Sequence, residues 1–322
     1  MHRPILRKIV LIDESSDRML SAVRSAAPTA EIVVAKGKDE IDRAIVDAQV
    51  TIGGKLSDDQ LHLARELAWH HVPWVGVESI VSEVMDEMNI VLTNGSGVNS
   101  ANIAEHVIAM MLAFARQLPR FVRDQDRAAW REWDQAPTFF ELGHQRVLCL
   151  GTGDIGQEVA RRLNAFGCEV IGASRSGRDV AGFDACISFE NLGAELGSAD
   201  HVVSSLPMTE STKQIFDRDR ILAMKQGAYF YNVGRGGTVD QDALIEALES
   251  GHLGGAGLDV TEPEPLPADS PLWGMKNVII TSHTSGNSPH ALQRMADLTA
   301  EQLQRYQSGD ELLNVVDLST GY

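Results

Sequence analysis

The stretch Val147-Leu148-Cys149-Leu150-Gly151-Thr152-Gly153-Asp154-Ile155-Gly156 limits what this chain can become more than any other. A short apolar run, read as a strand, leads directly into Gly-x-Gly-x-x-Gly. Ile155, Val159, Ala160, Leu163 and Phe166 then recur at helical spacing, and Gly167 is placed to end the helix. Strand, glycine turn and helix are the context in which this motif cradles a dinucleotide pyrophosphate. In that arrangement the first glycine permits the tight turn, the second lets backbone approach the phosphates, and the third lets helix and strand pack. The helix N-terminus offers free N–H groups and the positive end of its dipole. Gly151, Gly153, Asp154, Ile155 and Gly156 are therefore candidate cofactor residues.

With 322 residues the chain has room for two domains, and 43% hydrophobic residues suffice for two cores. The net charge of −17 argues against nucleic acid or an anionic membrane as a partner, since both require a basic face. Cys149, Cys168 and Cys186 form no CxxC pair and lie in or beside apolar runs. They read as reduced residues of a cytoplasmic protein. Met1-His2-Arg3-Pro4 leads straight to a strand with no signal-peptide pattern, and no apolar run is long enough to span a bilayer. No residue is assigned to a metal.

Strands are expected near Lys8–Ile12, Ile32–Val34, Val50–Gly54, Leu67–His70 and Ile90–Leu92, with helical stretches between. This alternation implies a parallel sheet. That unit has no glycine fingerprint. It does have Pro73-Trp74-Val75-Gly76-Val77-Glu78 after a strand, which reads either as a loop offering amides to a small anion or as a buried turn packed by Trp74. Thr93–Asn99 is turn chemistry and a domain crossing. A helix follows, with a capping box expected at Asn102 and Glu105 and an apolar stripe of Ile103, Val107, Met110, Met111, Phe114 and Leu118. Within Arg120–Phe140, Trp130 and Trp133 sit among charges. They read as a subunit-contact arm or as tryptophans folded back on their own domain.

After the glycine motif, Glu169–Ala173 reads as the second strand of the nucleotide unit. Where an acid would grip the ribose 2′-OH of NAD, the chain has Ser174-Arg175-Ser176-Gly177-Arg178. Hydroxyls and guanidinium groups suit a 2′-phosphate, so NADP(H) is preferred and NAD(H) remains possible if the arginines are only solvated charges. Further strands are expected at Ala185–Phe189, His201–Ser205, Ala228–Asn232, Gly255–Asp259 and Val278–Thr281, completing a doubly wound domain, and a helix at Ala291–Tyr306. Three loops at strand ends hold ionisable groups: Asn232–Gly237 with Arg235, Asp259–Pro265 with Glu264, and Thr281–Gly286 with His283. An arginine for a carboxylate, a histidine as acid/base and a carboxylate to orient it suit hydride transfer. Singly, each is also an ordinary loop residue.

Five segments, in order and at compatible spacing, resemble the D-isomer-specific 2-hydroxyacid dehydrogenase family. They are Gly151–Gly156, Leu206-Pro207-Met208-Thr209-Glu210-Ser211-Thr212, Val233–Val239, Gly255–Pro265 and Ser282–Gly286. The resemblance covers nearly the whole chain. It implies α/β architecture in two doubly wound parallel-sheet domains, a flavodoxin-like substrate domain (1–99 and 289–322) and a Rossmann nucleotide domain (100–288), with a cleft between. It implies Arg235, Glu264 and His283 as the catalytic set. Leu206, Pro207, Thr212, Val233, Gly234, Arg235, Asp259, His283, Ser285 and Gly286 are then cofactor contacts, and Val75 and Gly76, with Arg235, hold the substrate carboxylate. It also implies a homodimer through the nucleotide domain. Ser174-Arg175-Ser176 departs from the acid of NAD-using members and looks like the NADPH-preferring glyoxylate and hydroxypyruvate reductases. The expected activity is reduction of small 2-oxo acids to D-2-hydroxy acids. The alternatives are a 3-phosphoglycerate dehydrogenase-like enzyme, for which Lys36, Lys38 and Lys55 are the available bases, and a corepressor-like nucleotide sensor. Glu264 stands where the formate dehydrogenase branch carries glutamine.

Overall fold

The structure is a computed structural model that describes residues 6–13, 16–130 and 139–319. The chain divides into two compact units, residues 1–98 with 288–322 and residues 99–287.

In the first unit β1 (Lys8–Ile12) and α1 (Asp17–Ala26) are followed by β2 (Glu31–Ala35), α2 (Gly37–Ala44) and β3 (Val50–Gly53). Then come α3 (Asp58–Leu63), β4 (Trp69–His71), α4 (Glu83–Glu87) and β5 (Val91–Thr93). Among the described residues the strands form one parallel sheet in the order β2-β1-β3-β4-β5. This is the flavodoxin-like winding. β1, β3 and β4 are buried along almost their whole length, which is why they read as apolar runs rather than as alternation. Ser57 and Gln60 form a capping box that starts α3.

The second unit begins with α5 (Ser100–Ala115) and α6 (Leu118–Asp126). It continues through β6 (Arg146–Leu150), α7 (Asp154–Phe166), β7 (Glu169–Ser174), β8 (Ala185–Ser188), α8 (Leu192–Leu196), β9 (His201–Ser204), α9 (Arg218–Ala223), β10 (Tyr229–Asn232), α10 (Gln241–Glu249), β11 (Gly255–Leu258) and β12 (Val278–Ile280). The sheet order is β12-β11-β10-β9-β6-β7-β8, all parallel. Counted from β6, this is the 3-2-1-4-5-6 dinucleotide-binding order with one strand added beyond it. The order reverses between β6 and β9, so the glycine motif that follows β6 lies at the switch point.

The first unit is completed by α11 (Ala291–Ser308), docked against β4. Trp69 stacks on Tyr306 at 5.3 Å, and His71 Nε2 lies 3.0 Å from Thr299 Oγ1. The Thr299 hydroxyl already donates to the Met295 carbonyl, so His71 Nε2–H donates to it and Nδ1 accepts from Thr93 at 2.8 Å. His71 is thus fixed neutral. Burial, with His70 beside it, lowers its pKa to about 3, and burial lowers that of His70 to about 4. Unfolded histidine titrates near 6.5, so between those values the unfolded chain binds more protons and the fold weakens as pH falls. The expected loss is about 1.4 kcal/mol per histidine for each pH unit below about 6.5. Urea midpoints measured from pH 7.5 to 5 should fall steeply, and His71→Asn should flatten the slope. A midpoint constant over that range would refute this.

Three local expectations need correction. Asn102 and Glu105 form no capping box: α5 starts at Ser100, and the Asn102 side chain instead donates to the Ser285 carbonyl at 2.8 Å. The apolar stripe does not run on to Leu118, because the helix breaks at Gln117 (φ 57°) and Leu118 opens α6 at 50% exposure. Phe166 is also exposed; Val159, Ala160 and Leu163 carry the buried face of α7, and Gly167 ends it at φ 78°. Cys149 and Cys168 are buried free thiols, which burial pushes up to about 12 and 11, while Cys186 is half-buried. Among the described residues no helix is long and apolar enough to cross a membrane.

Candidate active site

The site's second-unit residues lie at the carboxyl ends of β6, β7, β9, β10, β11 and β12, where open α/β sheets bind ligands. At β6, Gly151 takes φ 103°, which a side chain would strain. A Cβ at Gly156 would overlap the Gly151 carbonyl oxygen, so this glycine sets the approach of helix to strand. A Cβ at Gly153 would meet nothing within 4 Å, leaving open space at the N-cap of α7. The positive end of the helix dipole with no side chain at Gly153 is an arrangement suited to a pyrophosphate.

β7 ends at Ser174. Its hydroxyl accepts the Gly177 N–H at 3.1 Å, and the Ser176 hydroxyl accepts the Arg178 N–H at 3.3 Å. Each serine accepts in these bonds and keeps its own hydrogen for another acceptor. Arg175 and Arg178 are exposed beside them, and positions 174–178 include no aspartate or glutamate. After β9, Leu206 is buried, and the Thr212 hydroxyl closes the next loop by donating to the Pro207 carbonyl at 2.7 Å.

The turn after β10 is tied by Asn232, which accepts the Gly234 N–H and donates to the Arg235 carbonyl, both at 3.0 Å. Val233 is buried, and Arg235 is half-buried with its guanidinium donating to the Gly234 carbonyl at 2.9 Å. Gly236 lies so close to the Thr261 carbonyl that no Cβ could fit. The Arg235 turn therefore packs against the start of the Thr261–Pro265 loop after β11.

That loop carries Glu264, and the loop after β12 carries His283. His283 Nδ1 is 3.1 and 3.2 Å from the two Glu264 carboxylate oxygens, and both side chains are open to solvent. His283 holds a left-handed backbone, φ 51°, unusual for a side-chain-bearing residue. Asp259 sustains it. Its carbonyl accepts the His283 N–H at 2.8 Å. Its carboxylate accepts Thr281 Oγ1–H at 2.6 Å, the Thr284 N–H at 2.9 Å and the Ser285 N–H at 3.1 Å. Burial alone would push the Asp259 carboxyl up, but these bonds from Ser285, Thr281 and Thr284 outweigh it and hold it below the usual carboxylate range. Asp259, read from sequence as a cofactor contact, thus spends its oxygens on the loop that carries the histidine. Ser285 is buried within that same clamp, and Gly286 follows it.

Two residues of this network were not singled out for the site in the sequence. Asn102 holds the Ser285 carbonyl, and His106 Nε2 lies 3.0 Å from Thr281 Oγ1 and 3.9 Å from Asp259. Their i,i+4 spacing puts both on one face of α5, a signal that the apolar stripe hid. Val75 and Gly76 belong to the first unit, in the half-buried loop after β4, with Trp74 exposed beside them. Trp133 lies outside the described residues. Trp130 is almost fully exposed.

A sequence profile described as "D-isomer specific 2-hydroxyacid dehydrogenase, NAD binding domain" matches residues 108–285. This chain belongs to the D-isomer specific 2-hydroxyacid dehydrogenase family. As a member of that family it is an NAD(P)-dependent oxidoreductase. A D-3-phosphoglycerate dehydrogenase of Methanocaldococcus jannaschii is 33% identical over 312 residues, which cover 92% of this chain but only 57% of that protein. The chain thus spans little more than half of that relative's length. Glyoxylate/hydroxypyruvate reductase B of Yersinia pestis is 32% identical over 267 residues, 82% of each chain. Among solved structures, an NADPH-dependent glyoxylate/hydroxypyruvate reductase of Sinorhizobium meliloti, in complex with NADP and sulfate, matches with TM-score 0.83 and 27% identity, covering 98% of this dehydrogenase and all of that chain.

Proposed function

We propose that this family member is an NADPH-preferring reductase of small 2-oxo acids to D-2-hydroxy acids, of the glyoxylate and hydroxypyruvate type. The observation that carries the reading is the His283–Glu264 pair, its histidine loop held by Asp259, at the ends of strands whose sheet also bears the glycine motif. In the overall change a 2-oxo acid, a proton and NADPH give a 2-hydroxy acid and NADP. A bound reduced nicotinamide supplies the hydride. His283 supplies the proton: Nδ1 is engaged by Glu264, so Nε2 is the nitrogen left to donate to the carbonyl oxygen. Glu264 orients the ring and stabilises the imidazolium. Arg235 grips the substrate carboxylate and polarises the carbonyl; in the first unit, the Val75 and Gly76 amides are the proposed donors to a carboxylate. The Sinorhizobium meliloti enzyme and the Ser174-Arg175-Ser176 turn support the choice of NADPH.

Arg235→Lys should raise KM for the 2-oxo acid by about tenfold to a hundredfold with a smaller change in kcat, because an ammonium cannot form the planar two-bond fork. An unchanged KM would remove Arg235 from carboxylate binding. The function itself is tested by assaying glyoxylate, hydroxypyruvate and 3-phosphohydroxypyruvate with NADPH and NADH. The third substrate addresses a phosphoglycerate dehydrogenase, a second reading favoured by the Methanocaldococcus jannaschii relative. No turnover with any of them would overturn the proposed substrate class.

We further propose a homodimer through the nucleotide-binding unit. Leu118, Phe121 and Val122 on α6 and Trp130 just beyond it are exposed apolar groups that support it.

A further inference from the structure

Two successive carbonyls of the loop after β4 are tied by the neighbouring residues 94 and 95. The Gly95 N–H donates to the Trp74 carbonyl at 2.8 Å, and the Asn94 side-chain NH2 donates to the Val75 carbonyl at 3.0 Å. The peptides that follow Trp74 and Val75 are trans, so each N–H points opposite to its carbonyl. The Val75 and Gly76 amides are therefore both turned away from residues 94–95. Neither finds an acceptor among the described residues. Consecutive peptides in a strand alternate direction; these two do not, and successive amides on one side make an anion-binding concavity.

Asn94 is well placed to impose this. It is buried, and its side chain is engaged at both ends, with Oδ1 accepting the Ser96 N–H at 3.1 Å while Nδ2 holds Val75. That leaves one consistent orientation of the amide. Asn314 braces it from behind: the Asn314 carbonyl accepts the Asn94 N–H at 3.2 Å, and its side chain donates to the carbonyls of Asn94 (3.3 Å) and Ser96 (2.9 Å). Gly95 completes the clamp, since a Cβ there would overlap the Pro73 carbonyl and push the loop off.

We infer that Asn94, braced by Asn314, is a positioning residue for substrate: it turns the Val75 and Gly76 amides toward the carboxylate of the 2-oxo acid. This rests on the proposed role of those amides. Asn94→Asp keeps size and replaces the donor with an oxygen that repels the Val75 carbonyl. In Asn94→Asp, KM for glyoxylate and Ki for oxalate should rise together by about tenfold or more, with kcat and KM for NADPH held within about twofold, because carboxylate binding is shared by ground and transition states. Asn314→Ala, which leaves the loop's own bonds in place, should give a smaller rise of the same pattern and serves if the first variant does not fold. A parallel experiment titrates oxalate into the wild-type protein with NADP and follows the amide resonances of Val75 and Gly76. If those resonances shift but neither variant alters KM or Ki, the Asn94 role is wrong. If they do not shift in the wild type, the carboxylate-binding role of the loop is wrong.

Discussion

Replacing His283 by glutamine is expected to lower kcat for 2-oxo acid reduction by about a hundredfold to ten-thousandfold, the range typical of a lost general acid. The side chain sits on a backbone held by hydrogen bonds to Asp259, not by the imidazole itself, so the loop should keep its course in the variant. Glutamine can still donate to Glu264, as Nδ1 does now at 3.1–3.2 Å, but it has no proton to release to an alkoxide. The loss should therefore fall on kcat, while the dissociation constant of NADPH, followed by its fluorescence, stays near the wild-type value. Glu264→Gln should lie between the two, because the ring keeps a hydrogen-bond partner but loses the charge that stabilises imidazolium. Near-normal kcat in His283→Gln would remove His283 as the proton donor.

Replacing Arg175 by aspartate is expected to lower the preference for NADPH over NADH, expressed as the ratio of kcat/KM values, by about a hundredfold or more. The substitution removes charge-assisted bonds to a 2′-phosphate and puts a repelling carboxylate in their place, while that same carboxylate can accept from the 2′-OH of NADH. Arg175 is exposed at the end of β7 on a turn closed by Ser174 and Gly177, so the change should leave the strand pairing intact. Arg175→Ala isolates the lost attraction from the added repulsion and should give a smaller drop. If the ratio does not move in either variant, Arg175 does not read the 2′-phosphate.

The parallel sheets were legible because strands buried on both faces, such as β1 and β3, must be written as unbroken apolar runs. The glycine motif was legible because Gly151 and Gly156 answer steric demands at short range, while Gly153 leaves the N-cap of the helix open. What the chain did not advertise was long-range hydrogen bonding. Asn102 has the spacing of a cap, yet it bonds to Ser285 across the second unit. Asp259 reads as one acid among several in a loop, and only folding shows that the Thr281–Ser285 segment closes around it. The break at Gln117 leaves no glycine or proline at the turn itself to mark it; Pro119 follows two residues later. Asn94 and Asn314 lie 220 residues apart, so no local pattern could pair them.

The most direct measurement is product analysis after reduction of hydroxypyruvate with NADPH deuterated at the transferable position. The expected product is D-glycerate carrying one deuterium at C2, with one NADPH consumed per product. L-glycerate, or D-glycerate without the label, would contradict it.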